Sequence, residues 1–170
     1  MNTDAYKLAN FFIQKGSKES KNDMTITKIL NLVYISHGLS LAILDRPLLN
    51  SERNTIEAWE FGPVITNLYH TLINFSNKNI NTPIEIPMFG ENGTLIRTEI
   101  PMVNEDDNQV CEILDTVWQS HKDMTPTDLI EIVKWKGTPW HYCYEEKGEY
   151  SIIPDKFTKI FYKNFLKLNK

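Results

Sequence analysis

A mainly α fold follows from three features of the chain. The run from Thr25 to Ile43 is apolar on most sides, as a helix enclosed by others must be. Several shorter runs repeat apolar residues at helical spacing behind Thr or acidic starts. One Asn92-Gly93 pair separates two short alternating stretches. Together they predict a compact single-domain helical bundle over residues 1–170, packed around a central apolar helix and carrying a small antiparallel β hairpin. The 170 residues suffice for a real core, and 41% hydrophobic with 24% charged residues is ordinary for a globular chain.

In chain order, residues 3 to about 14 put Tyr6, Ala9, Phe12 and Ile13 on one helical face, with Gly16 as a stop. Residues 15–23 are polar and lysine-rich and read as a loop. Thr25 is the N-cap of the central helix. Ile26, Ile29, Leu30, Val33, Tyr34 and Leu41 form one stripe of it, and Leu32, Ile35, Leu39, Ala42 and Ile43 a second. Pro47 ends it. Next comes Glu57-Ala58-Trp59-Glu60-Phe61-Gly62-Pro63-Val64. Gly62 tolerates a positive φ and Pro63 suits the first position of a helix. The pair is therefore expected to end an extended run carrying Trp59 and Phe61 and to start a helix at once. Val64, Ile65, Leu68, Tyr69, Leu72 and Ile73 then recur as pairs every four residues, a half-buried helix that runs out in the Asn-rich residues 74–81.

Ile84 to Phe89 and Leu95 to Met102 are the alternating runs of the hairpin, and Pro87 and Pro101 confine them to sheet edges. Glu105, Asp106 and Asp107 favour a helix start, followed by the apolar face Val110, Ile113, Leu114, Val117 and Trp118. Thr125-Pro126-Thr127-Asp128 is a capped start for a helix burying Leu129, Ile130 and Val133, and Gly137 ends it. Thr138-Pro139-Trp140 repeats the start for one or two turns. A last helix from about Asp155 to Leu168 is expected to bury Phe157, Ile160, Phe161, Phe165 and Leu168.

The chemistry is sparse. Net charge is −4, which gives the whole chain no bias toward nucleic acid. Cys111 and Cys143 are too few for a disulfide framework, and the first residues lack the basic and apolar regions of a signal peptide. No uncharged apolar run is long enough to span a bilayer, so a cytoplasmic protein without a membrane partner is expected. His37, His70, His121 and His141 form no metal-ligand spacing, and His141 and Cys143 point to different sides of a helix; no metal and no cofactor are expected. There is no nucleophile elbow, phosphate-cradling loop or dinucleotide fingerprint, and the seven glycines read as element ends. A cysteine–histidine dyad is open to any chain holding both, and a buried cysteine is the commoner case. No catalytic residue is assigned and no enzyme activity is expected.

Two features speak for binding. Lys156, Lys159, Lys163, Lys167 and Lys170 share one face of the last helix, with Tyr162 nearby. That is the pattern of a phosphate-binding ridge or of a site for an acidic protein, although a solvated outer face is the preferred reading. Of the aromatics Trp59, Phe61, Tyr69, Trp118, Trp135, Trp140 and Tyr144, most are expected in the core. Trp135 and Trp140 flank a Gly-Thr-Pro turn and Trp59 adjoins a rigid junction, which are positions typical of interface anchors.

A longer pattern runs through Leu32, Tyr34, Gly38, Leu41-Ala42, Pro47-Leu48, Glu57-Ala58-Trp59, Phe61-Gly62-Pro63-Val64 and Leu68-Tyr69, with Leu129 and Pro139-Trp140 farther on. It resembles the Panacea domain, the SocA-like antitoxin domain, from about Thr25 to Phe165. Asn31, Leu39 and Ser40 stand where that family often has Lys, Trp and His, and Thr66 replaces a frequent Pro. The resemblance implies an antitoxin of a two-gene toxin–antitoxin module, often carried by prophages, that neutralises its cognate toxin by direct binding. The SocA branch implies an alternative, an adaptor delivering the toxin to the ClpXP protease. A nucleic-acid-binding regulator using the lysine face is a reading of another class. Trp59, Phe61, Gly62, Pro63, Val64, Tyr69, Pro139 and Trp140 are the motif positions, expected to shape the body more than to touch a partner.

Overall fold

The computed structural model describes residues 4–21, 23–75 and 79–168. Its centre is α2 (Ile26–Ile43), begun by Thr25, whose hydroxyl accepts the Lys28 N–H at 3.2 Å. Packed around α2 are α1 (Asp4–Gly16), α3 (Thr66–Leu72), α4 (Asn108–His121), α5 (Pro126–Lys134) and α7 (Asp155–Leu168). A further helix, α6 (Pro139–Lys147), lies outside this ring against α5 and α7. By length and composition α2 could cross a membrane, yet 72% of it is buried inside the protein. Among the described residues the fold is mainly α, with seven α-helices and two small antiparallel sheets.

The one lysine of α2 explains how a charge survives there. Lys28 is fully buried, and its Nζ donates to Asp23 Oδ1 at 2.7 Å and to the carbonyls of Lys122 and Met124 at 2.7 and 2.8 Å. Three protons meet three acceptors, two of them carbonyls just past the C-terminus of α4, where helix ends leave oxygens unpaired. The start of α2 is thereby tied to the end of α4.

The Gly62-Pro63 junction differs from expectation. Gly62 does take a positive φ, +121°, but Pro63 does not open a helix. Residues Gly62–Ile65 form strand β2, folded back on β1 (Ile56–Trp59) with Trp59 opposite Gly62 and Ile56 opposite Ile65. The helix waits until Thr66. Two circumstances favour the strand. Pro63 pairs with Ala58, whose carbonyl accepts the Tyr150 N–H on the far side, so the missing N–H of Pro63 faces off the sheet edge and costs no ladder bond. And Pro63, Val64 and Ile65 are all buried, which a one-sided helix could not achieve. A third strand, β5 (Ser151–Ile152), completes the sheet in the order β2-β1-β5; nothing in its two residues announces it.

The expected hairpin is present but shorter, β3 (Ile86–Phe89) and β4 (Leu95–Glu99), with a register shift at Met88/Phe89. Its base is held by Asn10, buried in α1, which donates to the carbonyls of Ile84 and Pro101 and accepts the Ile84 N–H. Helix starts follow the sequence closely. Asp107 caps α4, Thr125 and Asp128 make a reciprocal capping box for α5, and Thr138 caps α6. Helix α6 runs for nine residues, longer than the one or two turns expected. In α7 the buried residues are Thr158 and Tyr162, while Ile160 and Phe165 stay half exposed; the side chain of Leu168 lies outside the described residues. The reason is Gly38, which is no element end but the middle of α2, and whose bare backbone receives the Tyr162 ring.

Candidate protein-interaction surface

The tight turn Glu60-Phe61 between β1 and β2 places an aromatic group at the surface. Strand alternation sends Glu57 and Trp59 to one face of β1 and Ile56 and Ala58 into the core. The Trp59 indole N–H donates to Glu57 Oε2 at 2.9 Å. Around that ring, edge-on, stand Phe61 at 5.7 Å, Tyr69 from α3 at 4.9 Å and Tyr150 at 5.4 Å between centroids. Phe61 is 38% and Tyr150 59% exposed, so the group has a buried root and an open rim. Tyr150 sits at φ +66°, a left-handed conformation uncommon for a residue with a side chain, just before β5. The Glu149 carboxylate beside it raises the Tyr150 phenol above its usual range, with desolvation adding to the effect.

The two ends of the motif meet directly. The Trp140 indole N–H, at the start of α6, donates to the Trp59 carbonyl at 2.8 Å. Tyr144 stacks on Trp140 at 4.6 Å, and Lys134 lies over the same indole at 4.6 Å while its Nζ donates to the Glu60 carbonyl at 2.5 Å. Beneath this layer Gly62, Pro63, Val64 and Pro139 are buried. A Cβ on Gly62 would stand 3.4 Å from Val133 and 3.6 Å from Asn31 Oδ1, close to α5 and α2. Gly62, Pro63, Val64 and Pro139 thus shape the body, while Trp59, Phe61 and Tyr69 reach the surface. Trp118 is core and Trp135, 73% exposed, stands clear of the cluster. Sequence reading missed Tyr150, because only pairing of β5 with β1 brings it to Trp59.

The lysine row divides. Lys156, Lys163 and Lys167 are exposed, but Lys159 is paired with Asp45, and this pairing lowers the Asp45 carboxyl below its ordinary value. Tyr162, expected beside the lysines, faces the core instead. Lys170 lies outside the described residues.

Reactive groups are placed for structure. The fully buried His37 accepts the N–H groups of Leu48 and Leu49 at Nδ1, at 3.3 and 3.2 Å, and its Nε2 donates to Asp155 Oδ1 at 3.0 Å. Both ring nitrogens are occupied in joining the 44–49 loop to the first turn of α7. Burial raises the Cys143 thiol; for Cys111 burial acts first and the Asp115, Asp107 and Glu105 carboxylates add to it. Thiols so shifted are poor nucleophiles at neutral pH. Among the described residues no three His, Cys, Asp or Glu side chains gather as a metal site would require.

The family model described as antitoxin SocA-like, Panacea domain, matches residues 29–141. The matched stretch runs from the first turn of α2 through the Trp59–Val64 junction to the start of α6, and leaves out α7 with its lysines. No curated protein and no solved structure matches the chain. With two thirds of its length matched, and with Trp59 and Trp140 of the motif hydrogen-bonded to each other, the chain belongs to the SocA-like antitoxin family, as a Panacea domain.

Proposed function

We propose that this protein is an antitoxin that neutralises a toxin encoded by an adjacent gene by binding it directly. The observation that carries the reading is the family match over residues 29–141. The geometry supports it: Phe61 and Tyr150 form an exposed aromatic rim on a scaffold braced by the Trp140–Trp59 hydrogen bond and the Lys134–Glu60 contact. Aromatics fixed in place lose little conformational freedom on binding and are common anchors of interfaces. Trp59, Gly62, Pro63, Val64, Tyr69, Pro139 and Trp140 hold that rim in position.

The test is co-expression. The neighbouring gene is induced in cells with and without this protein, and growth is followed. Restored growth supports neutralisation; a neighbour that is harmless, or that stays toxic, sinks the reading. Repeating the rescue in cells lacking ClpXP separates blocking, which persists, from delivery to the protease, which is lost.

A further inference from the structure

The face of α7 formed by Phe157, Ile160, Phe161 and Asn164 recurs at three- and four-residue spacing, the signature of a helix side meant to be covered. It is only partly covered. Together with Pro139 and Tyr142 of α6 these residues line an open groove of about 370 Å³. Ile160 is 50% and Tyr142 49% exposed on its two walls. Phe157 and Phe161 are partly buried against the core, whose deepest α7 residues are Thr158 and Tyr162, so it is the outer edge of the row, Ile160 and Asn164, that stays uncovered.

Charge is distributed unevenly about the groove. On the α7 wall Lys156, Lys163 and Lys167 lie four residues before and three and seven after Ile160, so they border it on the same helix side, and all three are exposed. On the α6 wall Glu145 and Glu146 follow Tyr142 by three and four residues and are also exposed, while Lys147 of the same helix lies over the Phe157 ring at 5.9 Å. The α6 carboxylates repel a continuous polyanion, and the apolar floor offers nothing to a phosphate backbone. The Phe157–Asn164 row is about 10 Å long at 1.5 Å per residue, enough to seat two turns of a helix laid alongside.

We propose that the α6–α7 groove receives an amphipathic helix of the partner protein, apolar in its middle and acidic along the edge lying on α7. The two walls set the direction the acidic edge must face. The Thr138-Pro139 segment that lines the groove leads into the buried Trp140, bonded to Trp59 at the root of the aromatic rim. The inference rests on the reading that a partner protein is bound, and adds where and by what chemistry.

The probe is a fluorescein-labelled amphipathic peptide of roughly fourteen residues, Leu on one face and Glu along one edge. Its counterpart carries Lys in place of each Glu. Anisotropy is measured against the wild type, Ile160→Glu and the Lys156→Glu/Lys163→Glu pair, all sites being solvent-exposed, with circular dichroism and melting to verify the fold. The acidic peptide should bind about tenfold tighter than the basic one, and each variant should weaken it by a similar factor. Equal binding of the two peptides, or unchanged binding by the variants, overturns the proposal. So does binding of a single-stranded RNA oligonucleotide, lost in the lysine pair, with no binding of the peptide. Co-expression separates the two readings. Rescue by the wild type and equally by Ile160→Glu would remove the groove and leave the antitoxin, whereas selective peptide binding without rescue would do the opposite.

Discussion

A Cβ on Gly38 would overlap Cδ2 and Cε2 of Tyr162 and stand 2.9 Å from its Cζ. The ring of α7 therefore packs against the bare backbone of α2, and the seating of these two helices depends on one missing methyl group. Tyr34 of α2 packs edge-on against the same ring, at 6.4 Å between centroids.

Gly38→Ala tests that contact. Alanine favours a helix interior by up to about 1 kcal/mol over glycine, so an open site would be stabilised. Here the buried ring has nowhere to go, and a net loss of roughly 1–3 kcal/mol is expected from overpacking. Urea unfolding of the single variant, and of Gly38→Ala in a Tyr162→Ala background, checks it: the penalty should vanish once the ring is removed.

Lys28→Met should cost about 3 kcal/mol. The methionine fills the space but leaves the Lys122 and Met124 carbonyls without their donor, and unpaired buried acceptors are expensive. Asp23→Asn, which removes only the half-buried acid of the same group, should cost much less. Chemical denaturation midpoints of the two variants give the comparison.

Tyr34 and Tyr162 are expected to contribute to the loss of stability at alkaline pH. Burial raises both phenols above the ordinary 10, and for Tyr34 a long hydrogen bond with Thr158 opposes the shift only weakly. A folded-state value above the unfolded one means that their contribution is intact below pH 10 and declines as pH rises beyond it. The expected slope is about 1.4 kcal/mol per pH unit for each phenol. Tyr162→Phe keeps the ring on Gly38 and should flatten the curve above pH 10 in a thermal or urea titration; an unchanged slope would contradict the assignment.

Phe61→Ala and Trp140→Phe separate contact from support. Phe61 is exposed, so its loss should leave the melting temperature nearly unchanged while weakening rescue in co-expression. Trp140→Phe removes the bond to the Trp59 carbonyl and should cost about 1 kcal/mol of stability, with any loss of rescue following from misplacement of the rim. Reversed results would make Phe61 structural and the rim a by-product of folding.

Much of this molecule was legible in the chain. Thr25, Thr125-Pro126 and Thr138-Pro139 mark helix starts, and the period of Ile113, Leu114, Val117 and Trp118 marks a buried face, because caps and helical period are written within a few residues. The motif residues were legible too, though their division into shape and rim was not. Seven aromatics were weighed from the sequence as core residues or interface anchors, but Tyr150 was not among them, since no local pattern predicts that a two-residue strand will carry it to Trp59.

Three outcomes belonged to contacts made far along the chain. Residues Gly62–Ile65 have a helical rhythm yet became a strand, because β1 offered an edge and the core could bury all four. The strand Ser151–Ile152 exists because the other edge of β1 was open. Helix α7 was foreseen, but its deepest residue was not: Phe157 and Phe161 are only partly buried against the core, Ile160 stays half exposed, and Tyr162 goes inward where Gly38, 124 residues earlier, leaves room for a ring. Local hydrogen bonding and periodicity specify where helices start and how they alternate. Packing decides which face wins, since the gain from burying a side chain depends on the shape of the surface it meets.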